Sequence, residues 1–346
     1  MKNLSRIFLL ALLQAGVIMA MPLLVPEGST RAGEEPPLAE AMAMSGTAEP
    51  APSPEAEALD EAAELEVLAG GESVKMKLSD YLFGVVAAEM PASFEPEALA
   101  AQAVAARTYA VYKMSAGTHG GAVCTDAACC QAWQSEQALR EKWGADYEAY
   151  AQKLRAAVAE TDGLCVSFDG QAALTAFHAC SGGFTESSEN VFGTALPYLV
   201  SVESMEKPEE VPNYISSVTL DEEALYAAVA AWDADAAVNA SNGALLADAV
   251  YSTTGRLLKV RLGGEEISGS ELRKIFSLRS ALVSWRREDG GVSFTVTGYG
   301  HGVGMSQYGA NAMAESGSGF REILSHFYPG TSVTPLSALA AGAAML

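Results

Sequence analysis

Positive charge is what this 346-residue chain has least of: 21 Lys and Arg stand against 43 Asp and Glu, for a formal net charge of −22. That balance excludes nucleic acid and anionic membrane surfaces as main binding targets, because both are held through basic patches. Histidine is also scarce, with four in all, and no H-E-x-x-H occurs, so the usual zinc-hydrolase signature is missing. No glycine-rich stretch carries the lysine of a phosphate loop or the spacing of a dinucleotide fingerprint. Apolar residues are plentiful: the chain is 49% hydrophobic, with 12 Tyr, 11 Phe and 4 Trp. It can fill the core of one large or two ordinary domains.

The deficit of bases is uneven. Between Glu27 and Glu72 there are twelve acids and one base, Arg31. Residues 27–64 are rich in Pro, Ala and Glu and poor in aromatic and β-branched residues, so they cannot bury enough surface to offset ordering entropy and read as a disordered, self-repelling linker. Before them, Lys2 and Arg6 precede an apolar run of nineteen residues, Ile7 to Val25, broken only by Gln14. A membrane-crossing helix needs about 20 such residues and a cleavable signal core has about 7 to 15. Residues 1–26 are therefore expected to be a cytoplasmic tip and retained transmembrane anchor, with a cleaved signal as the alternative. Both place the rest of the chain outside the cytoplasm. The expected fold is α+β, a single large domain over 65–335 with a helix pair packed on β-sheet and hairpins, followed by a tail at 336–346.

The helix pair lies in Ser79 to Lys113. Leu82, Val85, Val86 and Ala87 form the apolar stripe of the first helix, which must stop near Met90 because Pro91 disfavours helical backbone in the residue before it. The second starts at Glu95-Pro96, with Pro suited to the first position and Glu97 to the dipole, and runs Ala-rich to Tyr112. Glu89 falls in the last turn of the first helix among Val85, Val86, Ala87, Ala88 and Met90. It is either a solvated helix-end acid or a poorly solvated one, and the latter keeps its proton near neutral pH as a general acid must.

His119, Cys124, Cys129 and Cys130 put four soft ligands within twelve residues. They suit one tetrahedral zinc, although vicinal Cys129 and Cys130 need a tight loop to face the same way, and a disulfide is the alternative. Cys165 and Cys180 either pair or remain buried thiols. Helix is expected over Glu136 to Glu160, then a hairpin turning at Asp169-Gly170. Two glycine-rich stretches follow. Ser181 to Glu186 suits a loop that meets a polar ligand, or one whose glycines only supply positive φ. Gly298 to Asn311 crowds glycine with His301, Ser306, Gln307 and Tyr308, the side chains of a sugar-binding wall. The acidic segment 203–238 suggests no chemistry, only a surface helix near Asp221 to Trp232.

Taken in order, VVAAEMP with AAQAVAARTYA, SGGFTE with NVFG, GHGVGMSQYGANAMA and FREILSHFYPGT resemble the stage II sporulation protein D family, also called the amidase-enhancer domain, over about Leu65 to Val333. The resemblance implies a peptidoglycan lytic transglycosylase that cuts peptide-free glycan strands during engulfment in endospore formation. Its implied partners are an amidase, stage II sporulation protein P, and a membrane scaffold, stage II sporulation protein M. By motif the catalytic Glu is Glu89. The implied substrate-binding set is Arg107, Ser181, Thr185, His301, Ser306, Gln307 and Tyr308. Some clostridial relatives carry a zinc site of two His and two Cys after the second helix; here Cys129 stands in place of the second His. One acid suffices for this chemistry, because no water attacks. A noncatalytic glycan-binding enhancer of the amidase is the competing reading.

Overall fold

A computed structural model describes residues 58–237 and 245–339. The expected anchor at 1–26 and most of the linker lie outside the described residues, among which no helix is long and apolar enough to cross a membrane. The described residues combine helices with small sheets in an α+β arrangement.

The fold starts earlier than composition suggests. Helix α1, Leu59–Ala62, belongs to the acidic stretch read as linker, yet its Asp60 is 2% exposed. The backbone N–H groups of Leu59 and Asp60 both donate to the Asp162 carboxylate at 2.8 Å. Then β1 (Glu64–Ala69) and β2 (Glu72–Lys77) form an antiparallel hairpin across Gly70-Gly71. Helix α2, Leu78–Glu89, ends where Pro91 requires, with Met90 extended at ψ 144. Helix α3, Pro96–Ser115, has buried residues on all its faces: Ala98 through Thr108 are buried without interruption. Its alanines explain this, since small side chains let neighbours close on every face and leave no amphipathic stripe.

Strand β3 (Val123–Cys124) adds in parallel to β1. The long helix expected over Glu136 to Glu160 is broken into α4 (Glu136–Trp143) and α5 (Tyr147–Glu160) at Gly144, whose φ is +53. Strand β4, Leu164–Phe168, turns at Asp169-Gly170 into the short β5, Gln171–Ala172. The expected hairpin stops there. Strand β6, Phe177–His178, leaves to pair elsewhere, and the short helix α6 (Ser188–Phe192) follows.

Residues 215–297 build a second apolar core. Strand β7 (Ile215–Asp221) leads into α7 (Glu222–Trp232), whose Leu225 and Val229 are buried. Strands β8 (Leu246–Tyr251), β9 (Leu257–Leu262) and β10 (Glu265–Ser268) form one sheet. Helix α8, Gly269–Ile275, follows with a Ser268/Glu271 capping box, and β11 (Val283–Glu288) and β12 (Gly291–Thr297) complete a sheet with β7.

The chain then returns to the first core. Strand β13 (Met305–Ser306) pairs in parallel with β6. Helices α9 (Gln307–Glu315) and α10 (Phe320–Phe327) pack on α3, and β14 (Ser332–Pro335) closes on β4. The expected tail is in part folded: Leu336 and Leu339 are buried against Val111 and Cys165.

Candidate active site

Glu89 is the last helical residue of α2, where its side chain leaves the core at the end of an apolar turn. Two elements distant in sequence reach it. Ala132 N–H donates to Oε1 at 2.9 Å, and Gln307 Nε2, from the first position of α9, lies 3.4 Å from Oε2. Among the described residues no acid or base touches this carboxyl. Burial raises its pKa above the ordinary carboxylate value, outweighing the two hydrogen bonds that favour the ion. Of the two readings left open for Glu89, the poorly solvated acid is the one seen.

The loop that brings Ala132 is held down at both sides. Trp133 lies on Gly84 of α2, where an added Cβ would sit 2.2 Å from Nε1, and Gln134 N–H donates to Gly84 O at 3.2 Å. Gln131 donates to Tyr81 Oη and Ala106 O, both at 3.2 Å. Just upstream, the ligand atoms of His119, Cys124, Cys129 and Cys130 all lie within 4.8 Å of one another, and His119 Nε2 is 3.3 Å from Cys129 Sγ. The vicinal cysteines can face one way because the backbone turns: the N–H groups of both Cys129 and Cys130 point to Asp126 O at 3.0 and 2.8 Å. Ligands on a zinc tetrahedron sit about 3.3–3.8 Å apart, so this set closes on an ion by small side-chain rotations. The donor chemistry fits. All five cysteines are free thiols, and Cys165 and Cys180 are buried singly. Burial pushes the Cys130 thiol up to about 12.

The substrate-binding set divides. Gln307 alone touches Glu89. Tyr308 is partly exposed beside it, with its ring edge-on to Phe94 at 5.0 Å. His301 is partly exposed, 5.5 Å between ring centroids from both His178 and Phe192. Ser306 is buried as the N-cap of α9, accepting Gly309 N–H at 3.1 Å and donating to Glu206 at 2.6 Å. Ser181 and Thr185 are 0% exposed: the Ser181 hydroxyl bonds His178 Nε2 at 2.7 Å, and the Thr185 hydroxyl accepts Val202 N–H at 2.8 Å. Both hydroxyls are engaged inside the protein and present nothing to a ligand.

Arg107 requires a correction. It is 0% exposed in the centre of α3, where its guanidinium engages the Asp60 carboxylate through Nε and Nη2 and donates to Leu164 O at 3.0 Å. A side chain buried and matched in this way cannot reach a strand at the surface. Its motif carries an arginine for the core.

Sequence reasoning missed Ala132, which acts through its backbone and leaves no side-chain signal. It also missed Glu206, from the acidic segment in which no chemistry was read. Glu206 Oε1 accepts from Ser181 N–H and Ser306 Oγ together, fixing the start of the helix that presents Gln307.

Comparison with known proteins agrees with the motifs. Residues 71–168 match the SpoIID family, described as Stage II sporulation protein. The chain is similar to Stage II sporulation protein D of Bacillus amyloliquefaciens, 36% identical over 266 residues covering 74% of each chain. It is 34% identical to Stage II sporulation protein D of Bacillus subtilis (strain 168), over 75% of each. To a protein named Amidase enhancer, from the same Bacillus subtilis strain, it is 29% identical over 73% of this chain and 40% of the other.

Proposed function

Because this chain belongs to the stage II sporulation protein D family, we propose that it is a peptidoglycan lytic transglycosylase that cuts peptide-free glycan strands at the cell wall during engulfment. The observation that carries this reading is the lone, half-buried Glu89 carboxyl whose pKa burial raises. Glu89 gives its proton to the glycosidic oxygen as the C1–O bond breaks. The resulting carboxylate then takes the proton of the muramic C6 hydroxyl while O6 bonds to C1. The proton account closes within one residue, the leaving sugar keeps the first proton, and the product is a 1,6-anhydro end. Gln307 and the Ala132 N–H steady the carboxylate between the two transfers. Tyr308 and His301 are assigned to the glycan wall, with Ser181, Thr185 and Ser306 behind it.

A zinc ion on His119, Cys124, Cys129 and Cys130 would act structurally, closing the loop that carries Ala132 and leaving no open position for substrate. The apolar run in residues 1–26 would hold the domain on the outer side of the membrane. An amidase like stage II sporulation protein P and a scaffold like stage II sporulation protein M are the partners this reading assigns.

The test is purified peptide-free glycan incubated with the protein, the products examined by mass spectrometry for 1,6-anhydro ends. We expect them from wild type, with Glu89→Gln slower by about 10² to 10⁴ or more and strand binding retained. Full activity in that variant would remove Glu89 as the acid. The name of the Amidase enhancer relative favours a second reading, in which the chain presents glycan to an amidase without cutting it. A wild-type protein that binds strands and yields no anhydro ends would establish that reading instead.

A further inference from the structure

Arg256 is a buried charge that the proposed chemistry leaves unused. It directly precedes β9, is 2% exposed, and lies flat against Gly302, where an added Cβ would meet Cζ at 2.4 Å and where φ is +87. Nη2 donates to Ser181 O. Nε and Nη1 have no hydrogen-bond acceptor among the described residues. Buried guanidinium donors are seldom left unmatched, because their lost hydration is then not recovered.

Beside this side chain is a cavity of ≈ 30 Å³, lined by Arg256, Arg273, Glu186, Asn190, Ser270 and His301 among others. It has room for one small ion or one water. Two cations and one anion line it. The Glu186 oxygens are already engaged, by Ser187 N–H and Asn190 on Oε1 and by Ser252 and Thr254 on Oε2. His301 accepts Val303 N–H at 3.0 Å on Nδ1, and burial with the two arginines holds its pKa down to about 4, so it adds no charge. Glu206 attracts Arg256 but does not line the cavity. The walls therefore keep one positive charge in excess, with unused donors.

We propose that this cavity binds a small monoanion of chloride's size between Arg256 and Arg273, bracing the Gly300–Val303 loop against β9 and α8. A water would accept from the donors but leave the two guanidiniums repelling each other. Sulfate and the phosphate dianion carry more charge than the walls offer. The anion would be held by Arg256 and Arg273 and touches nothing of Glu89, so its binding can be measured whether or not the protein is a transglycosylase.

The experiment is thermal unfolding of the full-length protein in sodium chloride against sodium gluconate at matched ionic strength, with ³⁵Cl NMR line widths on the same samples. We expect a saturable rise in melting temperature with chloride only, and a broadened ³⁵Cl line that bromide sharpens by competition. Arg273→Gln and Arg256→Gln should lose the chloride increment. Should Arg256→Gln not fold, Arg273→Gln and the wild-type titration still decide. Coincident melts in the two salts with an unbroadened line would mean that water fills the cavity and would overturn the proposal, as would an undiminished chloride increment in Arg273→Gln.

Discussion

At the scale of single residues, the consequence of Gln307 is a pH dependence. Its amide favours the carboxylate form of Glu89, so it lowers a pKa that burial raises. The acid must be protonated to start the reaction, so cleavage is expected to fall as pH rises through the pKa of folded Glu89. Gln307→Ala removes the opposing contact and should move that alkaline limb to higher pH; a limb that stays put or moves down in the pH–rate profile would refute the role. The sign for stability follows from the same shift. An acid whose pKa is raised by folding contributes stability below its unfolded value and loses it as pH increases. Glu89→Gln should therefore melt no lower than wild type at neutral pH. Asp60 matters for stability through its partner. Its removal leaves the Arg107 guanidinium buried with carbonyl acceptors but no counter-charge, and breaking a buried pair in this way costs about 3–5 kcal/mol. Denaturant unfolding of Asp60→Ala should show a loss of that size, and a loss under about 1 kcal/mol would mean that Arg107 finds another acceptor.

At the scale of elements, the loop from His119 to Gln134 joins the thiol cluster to Glu89. Cys130 and Ala132 are two residues apart, so whatever orders one orders the other. On the reading that this cluster holds zinc, a chelator under reducing conditions is expected to raise amide hydrogen exchange over 119–134 while α3 stays protected. Exchange unchanged by chelation would show that the loop holds without metal. This scale also shows what could be read in advance. Pro91 and Pro96 announce the boundaries of the helix pair through backbone sterics alone. What stayed illegible was made by contacts between distant segments. The Ala132 N–H looks like any other in the sequence. Asp60 sits in a composition that says linker, and only its meeting with Arg107, 47 residues on, makes it core. The same holds for Arg107, whose motif position suggested substrate until its surroundings were seen.

At the scale of the whole molecule, the formal charge of −22 sets long-range behaviour. A peptide-free glycan strand exposes one lactyl carboxylate per muramic residue, so protein and strand repel until salt screens them over about 10 Å at 0.1 M. Strand binding should accordingly strengthen as ionic strength rises from near zero toward 0.1 M. Weakening over that range would point to a basic binding face that the charge balance does not suggest.

The clasp between α1 and the rest of the fold has a mechanical meaning. Any pull on the residues before Leu59 enters the domain at α1, where two backbone N–H groups grip Asp162 and the Asp60 side chain grips Arg107. Those bonds tie α1 to Asp162, just after α5, and to α3, the helix buried in the larger core. A pull from before Leu59 is therefore met at α1, ahead of the hairpin β1–β2 and of the helix α2 that carries Glu89.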